Sequence, residues 1–244
     1  MAILRSVTTA LLLALAGAVP GAAATAQDYT GVFDMGTLTG GLSIDAVTLA
    51  EEKRSGTGRY AHSAPHAAPV ARANLTYRPN AALRQKHFAQ FVAKARRQDP
   101  AGAAKLQQVL ATENVIGKIQ AGIAPYSMST NNVADASAVY LAYAWMATRA
   151  DDRDPTRAQM LGLRNQLAAA MTNSPGFARA SDATKQEVAD ANLVQGLIAG
   201  QLAALAKRDP AARVRIRSAV AQGARTTYGL DLLSLDLTPQ GLRP

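Results

Sequence analysis

Three Asp-Pro pairs constrain this chain more than any other feature: Asp99-Pro100, Asp154-Pro155 and Asp209-Pro210 recur at one constant interval. An Asp before a Pro is a helix-start signal. The carboxylate accepts a free backbone N–H as N-cap, and proline at the first helical position sacrifices no bond, because that amide has no intrahelical partner. Helices are therefore predicted to open at these three points. Ala and Leu dominate the stretches between them, so local propensity agrees with the punctuation. The pattern predicts helices over residues 80–97, 100–111, 114–123, 131–149, 155–172, 182–207 and 210–227, with a turn around 175–180.

The constant interval has company. Val133-Ala134-Asp135-Ala136 precedes Asp154-Pro155 by the same offset that Val188-Ala189-Asp190-Ala191 precedes Asp209-Pro210, and Val139 and Ala144 match Val194 and Ala199. This reads either as a duplicated helical unit or as chance similarity between Ala-rich helices; too few units are visible for a solenoid. The 131–149 segment is apolar nearly all round, which places it at the centre of a bundle. In the first helix, Leu83, His87, Phe91 and Ala95 share a face, with Arg84, Lys94, Arg96 and Arg97 elsewhere. The run from Gly229 to Thr238 alternates Leu with polar residues. A short strand or a tail packed on the bundle is expected there, with Leu75-Thr76-Tyr77 as a conceivable strand partner.

The N-terminus speaks to address. Arg5 precedes an apolar run over residues 7–19, Pro20-Gly21 breaks it, and Ala24-Thr25-Ala26 offers the small residues of a cleavage site. That order is a secretory signal peptide over 1–26. Residues 27–76 follow, rich in Gly, Ala, Ser and Pro and without sustained periodicity apart from one short helical candidate at 45–54. They read as a mostly disordered tether. A helical domain over 77–230 and a C-terminal tail over 231–244 complete the expected organisation. The fold class is all-α: a bundle of six or seven helices behind the signal peptide and tether.

The chain has no Cys and a formal charge of +9. Lipid anchoring at an N-terminal Cys, disulfides and thiolate chemistry are thereby excluded, so packing alone must hold the exported domain together. High Ala and Arg usage suggests a bacterial source, with periplasm or medium as the address. The charge favours anionic surroundings, though an Arg-rich soluble protein with no dedicated partner has the same balance. No segment after the signal peptide reads as a membrane span. The most apolar stretch, 188–206, carries Asp190, Asn192, Gln195 and Gln201, which suits a helix buried in protein.

Candidate chemistry is sparse. Asn131, Asn132 and Asp135 form a polar cluster at the mouth of the central helix, able to bind a ligand; mechanically, Asn132 with Asp135 three residues on is a variant capping box. Asp190 lies inside a helix, and a true duplication would let it face Asp135 as a carboxylate pair of the kind hydrolases use; the plainer reading pairs each Asp with an Arg. His62, His66 and His87 make no metal site, and no cofactor is expected. Nucleophile and phosphate-loop motifs are missing. The last helix carries Arg213, Arg215, Arg217 and Arg225, with Val214, Ile216 and Val220 as its apolar side; it is either a docking face for an anionic surface or a solvated cationic face. No aromatic residues interleave these arginines, and sequence-specific nucleic-acid binding is not expected.

Three stretches together carry a resemblance: Leu75-Thr76-Tyr77-Arg78-Pro79 before a basic helix, Asn131-Asn132-Val133-Ala134-Asp135-Ala136 with Val139-Tyr140, and Tyr228-Gly229-Leu230-Asp231. Residues 75–240 resemble a family of exported bacterial proteins known only as a domain of unknown function. The resemblance implies an all-helical domain and supplies no catalytic residues. The expected function is an exported, non-enzymatic binding or structural module of the bacterial envelope, engaging an anionic envelope component or an envelope protein through Asn131, Asn132, Asp135, Arg213, Arg217 and Arg225. The alternative is an envelope-polymer hydrolase using Asp135 and Asp190.

Overall fold

The computed structural model describes residues 74–97 and 99–244. The signal peptide, the tether up to residue 73, the helical candidate at 45–54, and His62 and His66 lie outside the described residues. Within them the protein is an all-α bundle. Seven helices have nine residues or more: α1 (Ala81–Arg96), α2 (Pro100–Thr112), α3 (Val115–Ile123), α4 (Val133–Arg149), α5 (Arg157–Asn173), α7 (Asp182–Arg208) and α8 (Pro210–Tyr228). A single turn, α6 (Pro175–Ala178), joins α5 to α7, and two three-residue strands, β1 (Asp236–Thr238) and β2 (Gly241–Arg243), end the chain.

Each long helix opens on a side chain that accepts a free backbone amide. Asn80, Asp99, Asn114, Asn132, Thr156, Ser181 and Asp209 are the caps, each bonded to an N–H of the first turn. Asp99 and Asp209 do what the Asp-Pro signal predicts. Asp154 does not: α5 starts two residues later than expected, where Thr156 and Gln159 form a reciprocal capping box. That box satisfies the Thr156 and Gln159 amides, while Asp154 faces the buried Tyr143 hydroxyl.

α4 is the axis of the molecule. Of its side chains only Trp145 and Arg149 escape full burial, and its largest interface is with α7. The two helices run parallel and in step: Ser137 meets Asn192 near one end and Asp152 meets Lys207 near the other, both pairs separated by 55 residues. The constant sequence offset thus has a structural counterpart, one helix lying beside its own echo. Gly196 makes the contact close, since a Cβ there would lie 3.0 Å from Val139 Cγ1 and 3.2 Å from the Tyr140 backbone. α7 is also long and apolar enough to cross a membrane, but 78% of its apolar window is buried inside this bundle. α5 and α8 return antiparallel to α4 and α7 and cover them. α1 and α2 form a hairpin with a small core of its own, Phe91, Val92, Ala95, Ala103 and Leu106, closed by Val194 of α7.

The chain's two ends differ from expectation. Leu75 is buried and Thr76 bridges to Asn132, so the folded domain starts before residue 77. The strand partner of 236–238 is not residues 75–77 but 241–243, in an antiparallel hairpin with Leu237 opposite Leu242. The Leu75 carbonyl and the Tyr77 amide are already committed to the start of α4, Leu75 C=O accepting from Val133 N–H and Tyr77 N–H donating to Asn131 C=O. A hairpin closes over few residues and satisfies its own edge, which a distant strand could not do here.

The tyrosines report this packing. Burial holds the hydroxyls of Tyr77, Tyr140 and Tyr143 well above the ordinary range and pushes Tyr228 up to about 12. An unfolded tyrosine ionises near pH 10, while these keep their protons in the fold. The native state therefore binds more protons above that pH, and stability is full below it and lost as pH rises toward the folded values. Tyrosinate absorbance is expected to appear together with loss of helical circular dichroism. Smooth titration of all seven tyrosines near pH 10 in a protein that stays folded would contradict the packing.

Candidate functional site

The densest polar chemistry lies where α1 crosses α7. Asp190 sits in the middle of α7 with a fully buried side chain. Its Oδ1 accepts from Arg84 Nε at 2.8 Å, and its Oδ2 lies 3.0 Å from His87 Nδ1 and 3.2 Å from Gln186 Nε2. Arg84 and His87 are three residues apart on α1, which puts both on the face toward α7. Arg84, which the sequence placed off the face of His87, therefore points with it toward α7. One turn before Asp190, Gln186 brackets the backbone of Asn80: its Oε1 accepts the Asn80 N–H and its Nε2 donates to the Asn80 carbonyl, both at 2.8 Å. Asp182 accepts the Arg78 amide. A buried carboxylate is tolerable only when such partners replace its water, and here three side chains do so.

Outside this cluster a shallow groove opens to solvent, lined in part by His87, Phe88, Phe91 and Glu187. His87, which the sequence left alone on an apolar face, joins the groove to the buried carboxylate. Among the described residues no group of three or more His, Cys, Asp or Glu gathers to hold a metal.

Asp135 occupies a separate place. Its Oδ2 accepts the Ser129 amide at 2.8 Å and its Oδ1 accepts from Arg164 Nε of α5 at 3.0 Å. Burial raises its pKa, opposed by the Ser129 N–H and the Arg164 charge. Asn132 caps α4 by accepting from Ala134 and Asp135 amides, and Asn131 acts through its backbone on Tyr77 and Ser129. Asp135 reaches back past the cap to Ser129, so the turn before α4 is tied by the carboxylate rather than closed as a simple box. The alternative pairing of Asp135 with Asp190 does not form, and the plainer reading holds: each Asp meets an Arg. Each carboxylate is paired with its own arginine, Asp135 with Arg164 of α5 and Asp190 with Arg84 of α1. The parallel helices repeat the Asp, but their neighbours differ.

The basic C-terminal helix is built otherwise than expected. α8 buries Ala212, Ile216, Ala219, Val220 and Ala224. Val214 is not part of that stripe and stands 72% exposed. Two residues before Ile216 is roughly 200° around the helix, which puts it on the solvent side. Arg213 and Arg217 are exposed beside it. Arg213 Nε donates to the last-turn carbonyl of Ala206, and no carboxylate among the described residues pairs with either guanidinium. Arg225 is half-spent on Asp231 at 3.1 Å. Sequence reasoning missed Arg149: it stacks 4.3 Å above the Trp145 ring and donates to the carbonyls of Leu232 and Leu235, clamping the C-terminal loop to α4. Its position in the last turn of a central helix was the available signal.

No curated protein and no solved structure matches this chain. A family model does match, over residues 3–243, a longer span than the 75–240 that carried the resemblance, and the chain belongs to that family, one of unknown function (DUF6683).

Proposed function

We propose that this protein is an exported, non-enzymatic binding module of the bacterial envelope that engages an anionic partner through the solvent face of α8. One observation carries the reading: Arg213 and Arg217, one turn apart and exposed, have no carboxylate partner among the described residues. Guanidinium groups left unpaired on a rigid helix are suited to carboxylate and phosphate groups, which they contact bidentately. The formal charge of +9 adds long-range attraction to the same class of partner. The carboxylates weighed for catalysis support the same reading, since Asp135 and Asp190 are both engaged in ion pairs that hold helices together.

The test is retention on a phosphate-bearing matrix. The protein should elute earlier as salt is raised, and the double variant Arg213→Gln, Arg217→Gln should elute at markedly lower salt with its fold intact. Equal elution of the two proteins would remove α8 from the reading.

A further inference from the structure

The two large apolar side chains left exposed among the described residues are Val214 and Leu233. They belong to different parts of the chain, yet a run of arginines connects them. Val214 lies between Arg213 and Arg217 on α8. α8 packs along α4, whose last residue is Arg149. Arg149, in turn, donates to Leu232 C=O at 3.0 Å and Leu235 C=O at 2.5 Å, the carbonyls on either side of Leu233. Asp231 N-terminal to this loop is taken up by Arg225, and Asp236 beyond it meets Arg149 only at 3.5 Å.

We infer that this face, Val214 and Leu233 with the exposed Arg213 and Arg217, docks the protein on an anionic lipid surface. The inference rests on the anionic-partner reading and narrows it. A soluble polyanion needs only the guanidinium groups; exposed Val and Leu in their midst add nothing to it. A bilayer interface uses both. Phosphates of the headgroups meet the arginines while the two side chains enter the acyl boundary, the two-part attachment that peripheral proteins require because neither part suffices alone. The rigid mounting matters as well. Val214 sits on a helix whose opposite stripe is buried, and Leu233 on a loop clamped by Arg149 and by the Trp145 indole, which donates to Leu235 C=O at 2.8 Å. Little ordering entropy remains to be lost on docking.

The experiment is co-sedimentation of the exported protein with vesicles of phosphatidylglycerol and phosphatidylcholine, against phosphatidylcholine alone, with inorganic polyphosphate as the soluble polyanion. Binding is expected to the anionic vesicles only and to fall with salt. Removing Arg213 and Arg217 together should weaken it about 25-fold, at about fivefold for each charge near the surface. Val214→Ser and Leu233→Ser, neutral changes at exposed positions, should each weaken it about tenfold while leaving the thermal midpoint and polyphosphate affinity unchanged. If the two serine variants sediment like the wild type, the lipid-surface inference is overturned. If polyphosphate binds in an Arg213- and Arg217-dependent way and the vesicles do not, the partner is a soluble polyanion: the docking inference falls and the anionic-partner reading stands. Failure of both ligands to bind removes both.

Discussion

Asp190→Ala is expected to destabilise the protein by roughly 3–5 kcal/mol, the range for removing one partner of a buried ion pair. The substitution removes a fully buried carboxylate, strips the Arg84 guanidinium, 17% exposed, and His87 Nδ1 of their acceptor, and leaves Gln186 Nε2 with the Asn80 carbonyl alone. It also releases the α1–α2 hairpin. That hairpin has only a small apolar core, and its attachment to α7 depends on Asp190 and on the Gln186 bracket around Asn80. Asp190→Asn keeps the shape and most acceptor geometry, so a smaller loss, about 1.5–3 kcal/mol, is expected from the missing charge. Urea denaturation gives both numbers. Amide exchange should show α1 and α2 opening first in the Ala variant, because that element alone has lost its anchor. A loss under 1 kcal/mol, or exchange spread evenly over all helices, would show that apolar contact and not Asp190 holds the hairpin.

The second large effect comes from a residue with no side chain. A Cβ on Gly162 of α5 would lie 2.1 Å from the Pro239 carbonyl oxygen and 2.9 Å from the Gly241 nitrogen. Both are backbone atoms of the β1–β2 turn, so no rotamer change relieves the clash. Gly162→Ala must push the hairpin off α5. With it go the contacts of two amides: Gln159 donating to Leu237 C=O at 2.7 Å, and Gln166 both accepting from Leu242 N–H at 2.8 Å and donating to its carbonyl at 3.1 Å. Leu237 and Leu242 would lose their burial, at about 1.5–3 kcal/mol each. Part of that is offset by the helix propensity of Ala over Gly, about 1 kcal/mol. A net loss of several kcal/mol and protease sensitivity confined to the C-terminal segment are therefore expected. An Ala variant as stable as the wild type would place the hairpin farther from α5 than the structure has it.

Helix content was legible in the chain because its signals are local. Side-chain caps, Pro at the first turn and Ala-rich periodicity each act over a few residues, and the boundaries of α2, α3, α7 and α8 fall within one residue of those read from the sequence. α5 starts two residues late because two start signals, Asp154-Pro155 and Thr156 with Gln159, stand side by side, and Asp154 turns to Tyr143 while the other pair closes a reciprocal box. Val214 was assigned to the wrong side because apolar identity alone placed it. In α8 the buried stripe is largely Ala and Gly, so hydrophobicity says little about which face packs.

The polar sites were harder to read for a different reason. Asp190 stood out in the sequence; its partners Arg84 and His87 did not, since they lie 106 and 103 residues away. Three glutamines act as backbone clasps: Gln120 on Met128 and Thr130, Gln166 on Leu242, Gln186 on Asn80. A Gln on a helix has no local mark that distinguishes a clasp from a solvated side chain. Only the fold, by bringing an unpaired strand alongside, turns the amide into a substitute for a neighbouring backbone. Parallel α4 and α7 were hinted at by the repeated interval, yet the Asp common to both meets arginines from opposite directions of the chain. A pattern in sequence carried over to helix placement and not to the chemistry around it.

Whether the exposed arginines of α8 recruit an anionic partner is read most directly in a pull-down from envelope extract with wild type and the Arg213→Gln, Arg217→Gln variant at low and high salt. An anionic lipid or polymer is expected on the wild type at low salt, released at high salt, and absent from the variant. An anionic component held equally by both proteins, or a protein partner that resists salt and ignores the substitutions, would rule out recruitment through α8.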